Sequence, residues 1–101
     1  MITFSELIVN ERTALLSLVE DGEVIGSVMY DQEQNELHNL FIDIKKRGKG
    51  NAERLLKEAL FRYSPKYITA SKDYGSDPVR LIKLYSKVGF DVDNVRMSFK
   101  I

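Results

Sequence analysis

A short segment near the middle of the chain combines the residue types that bind phosphate groups. Residues 40–52 run from an apolar stretch (LFIDI) through a basic, glycine-rich turn (KKRGKG) into a sequence that can start a helix. Gly48 and Gly50 can adopt positive φ angles, so the backbone of the turn can approach an anion closely. The first turn of a helix adds unpaired N–H groups and the positive end of the helix dipole. The segment therefore predicts a phosphate-binding turn between a strand and a helix.

Two common nucleotide-binding patterns are absent from this segment. It matches neither G-x-G-x-x-G nor G-x-x-x-x-G-K-[ST], so neither a dinucleotide fingerprint nor a P-loop is indicated. The spacing of Arg47, Gly50 and Ala52 instead resembles motif A of the GNAT-type N-acetyltransferases, Q/R-x-x-G-x-G/A. Further along, LYSKVGF at residues 84–90 is similar to that family's motif B, L-Y-x-x-x-G-F. With both motifs in order, the chain resembles this family over residues 13–100.

The resemblance implies that the chain binds acetyl-coenzyme A as a cosubstrate and needs no metal. In this family the ligand lies between two diverging strands, one of which precedes motif A. Backbone groups for the pantetheine arm would come from Leu40, Phe41 and Ile42. The set around the pyrophosphate would be Gly48, Lys49, Gly50, Asn51, Ala52 and Glu53, and Arg47 of motif A would be a further cofactor-binding residue. Candidates for the ribose phosphate are Lys45, Lys46 and Lys49.

Three further residues could carry acid–base chemistry. Tyr85 matches the family tyrosine that gives a proton to the departing coenzyme A thiolate, although its helical position also suits a core side chain. An acceptor amine must lose a proton before it attacks, because such amines have an ordinary pKa of about 10.4. Glu36 stands where some family members place a glutamate base. His38, on the same face of the strand, is the alternative base. The structural alternatives are that Glu36 is a carboxylate at the edge of a turn and that His38 is a packed polar residue.

Composition limits the class of protein. A chain of 101 residues, 44% hydrophobic and 30% charged, fits a single domain over residues 1–101. It contains no cysteine and one histidine, so neither a disulfide framework nor a multi-histidine metal site is expected. No apolar run approaches the roughly 20 residues that cross a bilayer, and no leader follows Met1. We therefore expect a soluble, cytoplasmic protein.

Charge is divided unevenly along the chain. Residues 1–44 contain one base and nine acids, a net charge of −8, and residues 45–101 contain fourteen bases and six acids, a net charge of +8. Two oppositely charged sides of a cleft would attract an anion and a cation respectively. Acidic turns and lysine-rich helix faces would give the same pattern without a ligand. The basic turn is too short for a typical nucleic-acid surface, which argues against nucleic acid as a partner.

The hydrophobic patterns predict the elements that position these residues. We expect an α/β fold with a mixed sheet, in which an antiparallel meander precedes a parallel β-α-β unit and two main helices pack on the sheet. The Asp21-Gly22 pair predicts a hairpin turn. The predicted strands cover residues 2–9, 13–20, 23–30, 36–44, 67–71 and 95–101, and the predicted helices cover 52–63 and 78–88, the second with Asp77 as its N-cap.

The family's usual two helices after the first strand have no room between residues 9 and 13. Those helices commonly form one wall of the acceptor site, so the resemblance implies an open cleft suited to a protein lysine or completed by a second subunit. An exposed edge at residues 2–9 would allow a two-fold homodimer. The alternative to an N-acetyltransferase of primary amines is a catalytically inactive coenzyme A-binding or protein-interaction module on the same scaffold.

Overall fold

The computed structural model describes residues 1–71 and 78–98. Within these ranges the elements agree closely with the predicted ones, and the predicted cap at Asp77 and residues 99–101 of the predicted last strand lie outside them. Single turns of 3-10 helix occupy Ile44–Lys46 and Val92–Asn94. The main elements are β1 (Ile2–Ile8), β2 (Thr13–Glu20), β3 (Glu23–Asp31), β4 (Glu36–Ile42), α1 (Asn51–Tyr63), β5 (Tyr67–Ser71), α2 (Pro78–Val88) and β6 (Val95–Ser98).

The strands form one mixed sheet in the order β1-β2-β3-β4-β5-β6. The first four strands pair antiparallel, whereas β4–β5 and β5–β6 pair parallel through the crossovers that contain α1 and α2. This confirms the predicted mixed sheet. Asp21 and Gly22 have φ angles of 51° and 85°, as a turn with two positive φ residues requires. The hairpin that begins the meander is therefore set by local sequence.

Both helices pack on the same face of the sheet. Alternate residues of β2, including Leu16 and Leu18, are fully buried beneath them. From the helices, Leu55 and Leu56 of α1 and Tyr85 of α2 complete the same core cluster. This burial follows from the period-two pattern of β2 meeting the i, i+3, i+4 pattern of α1, and each fully buried aliphatic side chain contributes about 1.5–3 kcal/mol. The helices are thus fixed above the centre of the sheet.

The predicted extension of the fourth strand to residue 44 is wrong. β4 ends at Ile42, where the N–H of Asp43 donates to the carbonyl of Ile25 at 2.8 Å. Asp43 Oδ1 then accepts from the N–H of Lys45 at 3.0 Å, which caps the 3-10 turn. Ile44 is 75% exposed. Its apolar character suggested a buried strand end, but the Asp43 side chain has already turned the backbone away.

A β-bulge interrupts β4 next to the end of its pairing with β5. Met29 pairs with His38 and Ser27 pairs with Phe41, so Asn39 and Leu40 together lie opposite one residue of β3. Asn39 has a φ of 56°, in the left-handed region that asparagine tolerates better than most residues. Pairing between β4 and β5 covers only residues 36–37 with 67–68 and stops before the bulge. The two central strands are therefore joined at one end only.

Candidate functional site

A cleft of about 840 Å³ lies between the end of β4, the first turn of α1 and one side of α2. Leu40 and Ile42 of β4 form its apolar end, and the glycine-rich turn forms a polar wall. Leu40 lies in the bulge and Ile42 beyond it, and both face the helices. The remaining lining residues are Lys46, Arg47, Gly48, Gly50, Asn51, Ala52 and Glu53 from the turn and α1, and Arg80, Leu81, Leu84 and Lys87 from α2.

The glycine turn leaves open space at the N-terminus of α1. Gly48 and Gly50 have φ angles of 73° and 80°, and a Cβ added to either would meet no other atom within 4 Å. The first hydrogen bond along α1 runs from Arg54 N–H to the carbonyl of Gly50 at 3.1 Å. The N–H groups of residues 51–53 precede that bond and can donate to an anion, which the helix dipole also attracts. The turn therefore has the geometry of a phosphate cradle.

Hydrogen bonds from nearby side chains hold the glycine turn in place. The Asn51 amide is 3% exposed and donates to the carbonyl of Lys46 at 3.0 Å, and its oxygen accepts from Arg54 at 2.8 Å. Arg47 Nε donates to the carbonyl of Ile42 at 2.9 Å. These two predicted ligand residues therefore use their side chains to hold the cradle. The buried Asn51 side chain thus ties the start of α1 to the 3-10 turn before it.

Ion pairs compensate several charges around the cleft. Lys46 Nζ lies 3.3 Å from Glu20, and Lys87 Nζ lies 3.3 Å from Glu53. Glu53 also pairs with Lys57 at 3.1 Å. Hydrogen bonds from Lys57 and Lys87 hold the pKa of Glu53 below its usual range. The carboxylate beside the cradle is thus neutralised by two lysines, which weakens its repulsion of an incoming phosphate.

Tyr85 is almost completely buried beneath α2. Its hydroxyl donates to the carbonyl of Thr69 at 3.4 Å, and its ring meets Phe90 edge to face with centroids 6.3 Å apart. Thr69 directly follows the last residue of β5 that pairs with β4. Burial raises the pKa of the Tyr85 phenol, so it stays protonated at neutral pH, as a proton donor must. The hydroxyl therefore lies where the two central strands stop pairing.

The two candidate bases lie on the opposite face of the sheet from the helices. Glu36 and His38 alternate along β4 with the buried Leu37. The Glu36 carboxylate lies 3.0 Å from Arg96 of β6, whose guanidinium stacks on the ring of Tyr67 at 4.0 Å. The structure therefore separates the predicted residues, with the cradle on one face and both candidate bases on the other. A ligand passing between β4 and β5 would connect the two faces.

Two predicted cofactor residues lie away from the cleft lining. The side chain of Phe41 belongs to the same open face as Glu36, because it follows the bulge with the opposite alternation from Ile42. Lys49 is exposed at the tip of the turn and is absent from the cleft lining. Conversely, the sequence analysis missed Arg80 and Lys87. Together with Leu84, these residues recur at helical spacing on one side of α2, which was a usable signal.

Neither a metal cluster nor a bilayer-spanning helix is present in the described ranges. No group of three or more metal-ligating side chains occurs within residues 1–71 and 78–98. None of the helices there is both long and apolar enough to cross a membrane.

Comparisons with known proteins identify the family and agree with the fold. The family model for the acetyltransferase (GNAT) domain matches residues 3–100. No protein with a curated description matches the chain. An aminoglycoside acetyltransferase from an uncultured soil metagenomic sample is 26% identical, with a TM-score of 0.58 over 84% of this chain and 63% of its own. The chain thus spans less than two thirds of that protein.

Two further solved structures share the fold at lower sequence identity. AAC(6')-Iy, bound to the bisubstrate analogue CoA-S-monomethyl-acetylneamine, is 18% identical with a TM-score of 0.60, covering 91% of this chain and 70% of its own. A ribosomal-protein-alanine N-acetyltransferase from Brucella melitensis is also 18% identical, with a TM-score of 0.55 over 84% of this chain and 70% of its own. At this identity the likeness supports the architecture alone.

Proposed function

Because this chain belongs to the GNAT acetyltransferase family, we propose that it transfers the acetyl group of acetyl-coenzyme A to a primary amine. The observation that carries the proposal is the open glycine turn, which lines the same cleft as the end of β4. A pyrophosphate needs closely spaced N–H donors, and the pantetheine arm that carries the acetyl group needs a channel beside them. The cleft combines both requirements.

The residues of the cleft divide the binding task between backbone and side chains. N–H groups at the start of α1 would hold the pyrophosphate, with Gly48 and Gly50 leaving space for it. Leu40 and Ile42 would contact the pantetheine arm at the end of β4. Since Asn51 and Arg47 are occupied with internal hydrogen bonds, the cradle is formed before any ligand arrives. Such preorganisation lowers the entropic cost of binding.

Acetyl-coenzyme A supplies an activated acyl group, and the protein has to move two protons. Glu36 or His38 would take a proton from the acceptor amine as its nitrogen forms a bond to the acyl carbon. Tyr85 would give its proton to the sulfur as the carbon–sulfur bond breaks. The products are an amide and the free thiol of coenzyme A. The placement of base candidates and Tyr85 on either side of the gap between β4 and β5 supports this division of roles.

We propose a protein lysine as the first acceptor to test. Four residues join β1 to β2, where the carbonyl of Thr13 accepts from Val9 N–H at 2.9 Å, so no helix stands there. Glu36 and Asp31 are neighbours across β3 and β4 on the open face. The described helices pack on the other face of the sheet, so this face can admit a side chain presented by a folded partner, although the Glu36 carboxylate is paired there with Arg96.

Calorimetric titration with acetyl-coenzyme A tests the site directly. Gly50→Trp should abolish binding, because its side chain would fill the cradle. Gly22→Trp is a matched control, since Gly22 has a similar φ of 85°, equally open surroundings and a position in the distant β2–β3 turn. Micromolar binding to the wild type and to Gly22→Trp, lost in Gly50→Trp, supports the proposal. Failure of the wild type to bind overturns it.

Mass spectrometry of lysine peptides then separates an enzyme from an inactive binding module. A mass gain of one acetyl group on the lysine, dependent on Tyr85, supports transfer to this acceptor. Binding without acetylation of any amine in a broad panel would favour the module.

A homodimer through β1 is also proposed. β1 is the edge strand of the sheet, and Leu7 and Ile8 are 60% and 64% exposed. Unpaired edges of this kind pair readily with a second strand. Light scattering should give a dimer for the wild type and a monomer for Ile8→Lys. A monomeric wild type would reject the dimer.

A further inference from the structure

We propose that Arg80 is a specificity residue that binds the 3′-phosphate of coenzyme A. This inference rests on the proposed function and assigns a part of the ligand that the glycine turn does not account for. Arg80 lies in the first turn of α2, is exposed and lines the cleft. A guanidinium presents a planar set of donors that matches two phosphate oxygens at once.

The charges of the cleft single out this side chain. In the described part of the chain, four basic residues line it: Lys46, Arg47, Arg80 and Lys87. Three of these make internal bonds, to Glu20, to the Ile42 carbonyl and to Glu53 respectively. Among the described residues, Arg80 has neither an ion pair nor a side-chain hydrogen bond. It is therefore the cleft cation that can bind an anion without breaking an existing bond.

Arg80 is also well separated from the cradle. It belongs to α2, whereas the cradle consists of backbone N–H groups at the start of α1. Lys87, which joins α2 to Glu53 of α1, lies seven positions further along the helix, about 10 Å by the rise of an α-helix. The cleft thus has two distinct anion positions. Coenzyme A carries phosphate at two places, the pyrophosphate and the 3′-phosphate, which agrees with two anion positions.

The alternatives from the sequence fit less well. Lys46 is paired with Glu20. Lys45 and Lys49 are exposed and lie outside the cleft lining. None of the three lysines approaches the cleft from the α2 side. The structure therefore favours Arg80 over the basic turn for the outer phosphate.

Titrations with two ligands test the assignment. Coenzyme A and 3′-dephospho-coenzyme A should be titrated into the wild type, Arg80→Met and Lys83→Met. Lys83 lies one turn further along α2, is exposed and is not part of the cleft lining, so its loss removes the same charge from the same helix. We expect Arg80→Met to bind coenzyme A about 10-fold more weakly and to keep its affinity for the dephospho ligand. Lys83→Met should match the wild type with both ligands.

The other possible results would overturn either the assignment of Arg80 or the proposed function. Equal weakening of both ligands by Arg80→Met would place the guanidinium on the pyrophosphate and overturn the assignment. Unchanged affinity for coenzyme A would also overturn it. Retained binding of the dephospho ligand shows that the variant is folded with an intact cradle. If the wild type binds neither ligand, the proposed function fails, which is distinct from failure of Arg80 alone.

Discussion

The antiparallel and parallel halves of the sheet differ in how completely their strands pair. From β1 to β4 the ladders run along almost the whole strands, and every residue of β1 has a partner in β2. Between β4 and β5 only two residue pairs form. Complete pairing leaves no space for a ligand, whereas incomplete pairing leaves a gap with unpaired backbone. From this comparison we infer that the antiparallel half mainly supplies stability and that the parallel half supplies the proposed site.

Core truncation should give the largest effect and separate the two halves. Leu16→Ala removes a fully buried side chain from β2 and should lower the free energy of unfolding by about 3 to 4 kcal/mol. Its affinity for acetyl-coenzyme A should not change, because Leu16 is outside the cleft lining. Leu84→Ala removes a side chain that lines the cleft. It should lower the affinity for acetyl-coenzyme A and reduce the free energy of unfolding by less than Leu16→Ala does. Denaturant unfolding and calorimetry measure both quantities, and a binding defect in Leu16→Ala would contradict the separation.

Removal of the Tyr85 hydroxyl should affect turnover and leave the fold intact. Tyr85→Phe should reduce kcat by about 100-fold, equivalent to about 2.7 kcal/mol, if its proton goes to the leaving thiolate. Stability should change by less than about 1 kcal/mol, because the bond to the Thr69 carbonyl is long at 3.4 Å. Steady-state kinetics and unfolding curves test this. A variant with unchanged kcat would leave Tyr85 as a core residue only.

Gly26→Ala should lower both stability and ligand affinity, although Gly26 lies in the antiparallel half. A Cβ on Gly26 would lie 2.6 Å from Ile42 Cδ1 and 2.9 Å from the carbonyl oxygen of Phe41. β3 and β4 would have to move apart, at a cost of about 2 kcal/mol. Since Ile42 lines the cleft, the affinity for acetyl-coenzyme A should fall as well. Calorimetry on a sample shown to be folded by circular dichroism checks this, and a stability loss without a binding loss would contradict it.

Alkaline pH should give the smallest effect, with none near neutrality. Burial raises the pKa of both Tyr63 and Tyr85 above the ordinary value near 10, and a hydrogen bond to Glu6 adds to the shift of Tyr63. A raised pKa in the folded state means that the stability is complete below about pH 10 and falls as the pH rises further. Unfolding free energies from pH 7 to 11 should show this decline.

The two tyrosines report on different halves. Tyr63 of α1 bonds to β1, and Tyr85 bonds to β5. Tyr63→Phe and Tyr85→Phe should each reduce the alkaline decline, since each removes one titrating phenol. An unchanged pH dependence in both variants would show that other groups control it.

Local sequence was sufficient to predict most of the fold. The Asp21-Gly22 turn and the apolar face of α1 each depend on residues close in sequence. Turn chemistry and helical periodicity are properties of short segments. For this reason the predicted elements differ from the observed ones mainly at their ends, as at Ile44.

The site was less predictable because it depends on contacts between distant segments. The glycine turn is local, and its position before a helix was predicted correctly. The internal bonds of Asn51, the pairing of Glu36 with Arg96 and the approach of Arg80 to the cleft require the folded arrangement of α1, α2 and β6. Helical spacing alone could have put Arg80, Leu84 and Lys87 on one side of α2, but it could not show that this side lines a cleft with α1 and β4.

The bulge at Asn39 has a consequence for the length of β4. Leu37, Leu40 and Ile42 all face the helices although the first two are an odd number of residues apart, because the bulge absorbs one residue. Deleting Asn39 would therefore leave every core side chain on its present face. The shortened strand would be regular and would continue alongside β5 beyond Leu37. We therefore expect residue 39 to be dispensable for the core and necessary for the gap between β4 and β5 at which the proposed ligand would lie.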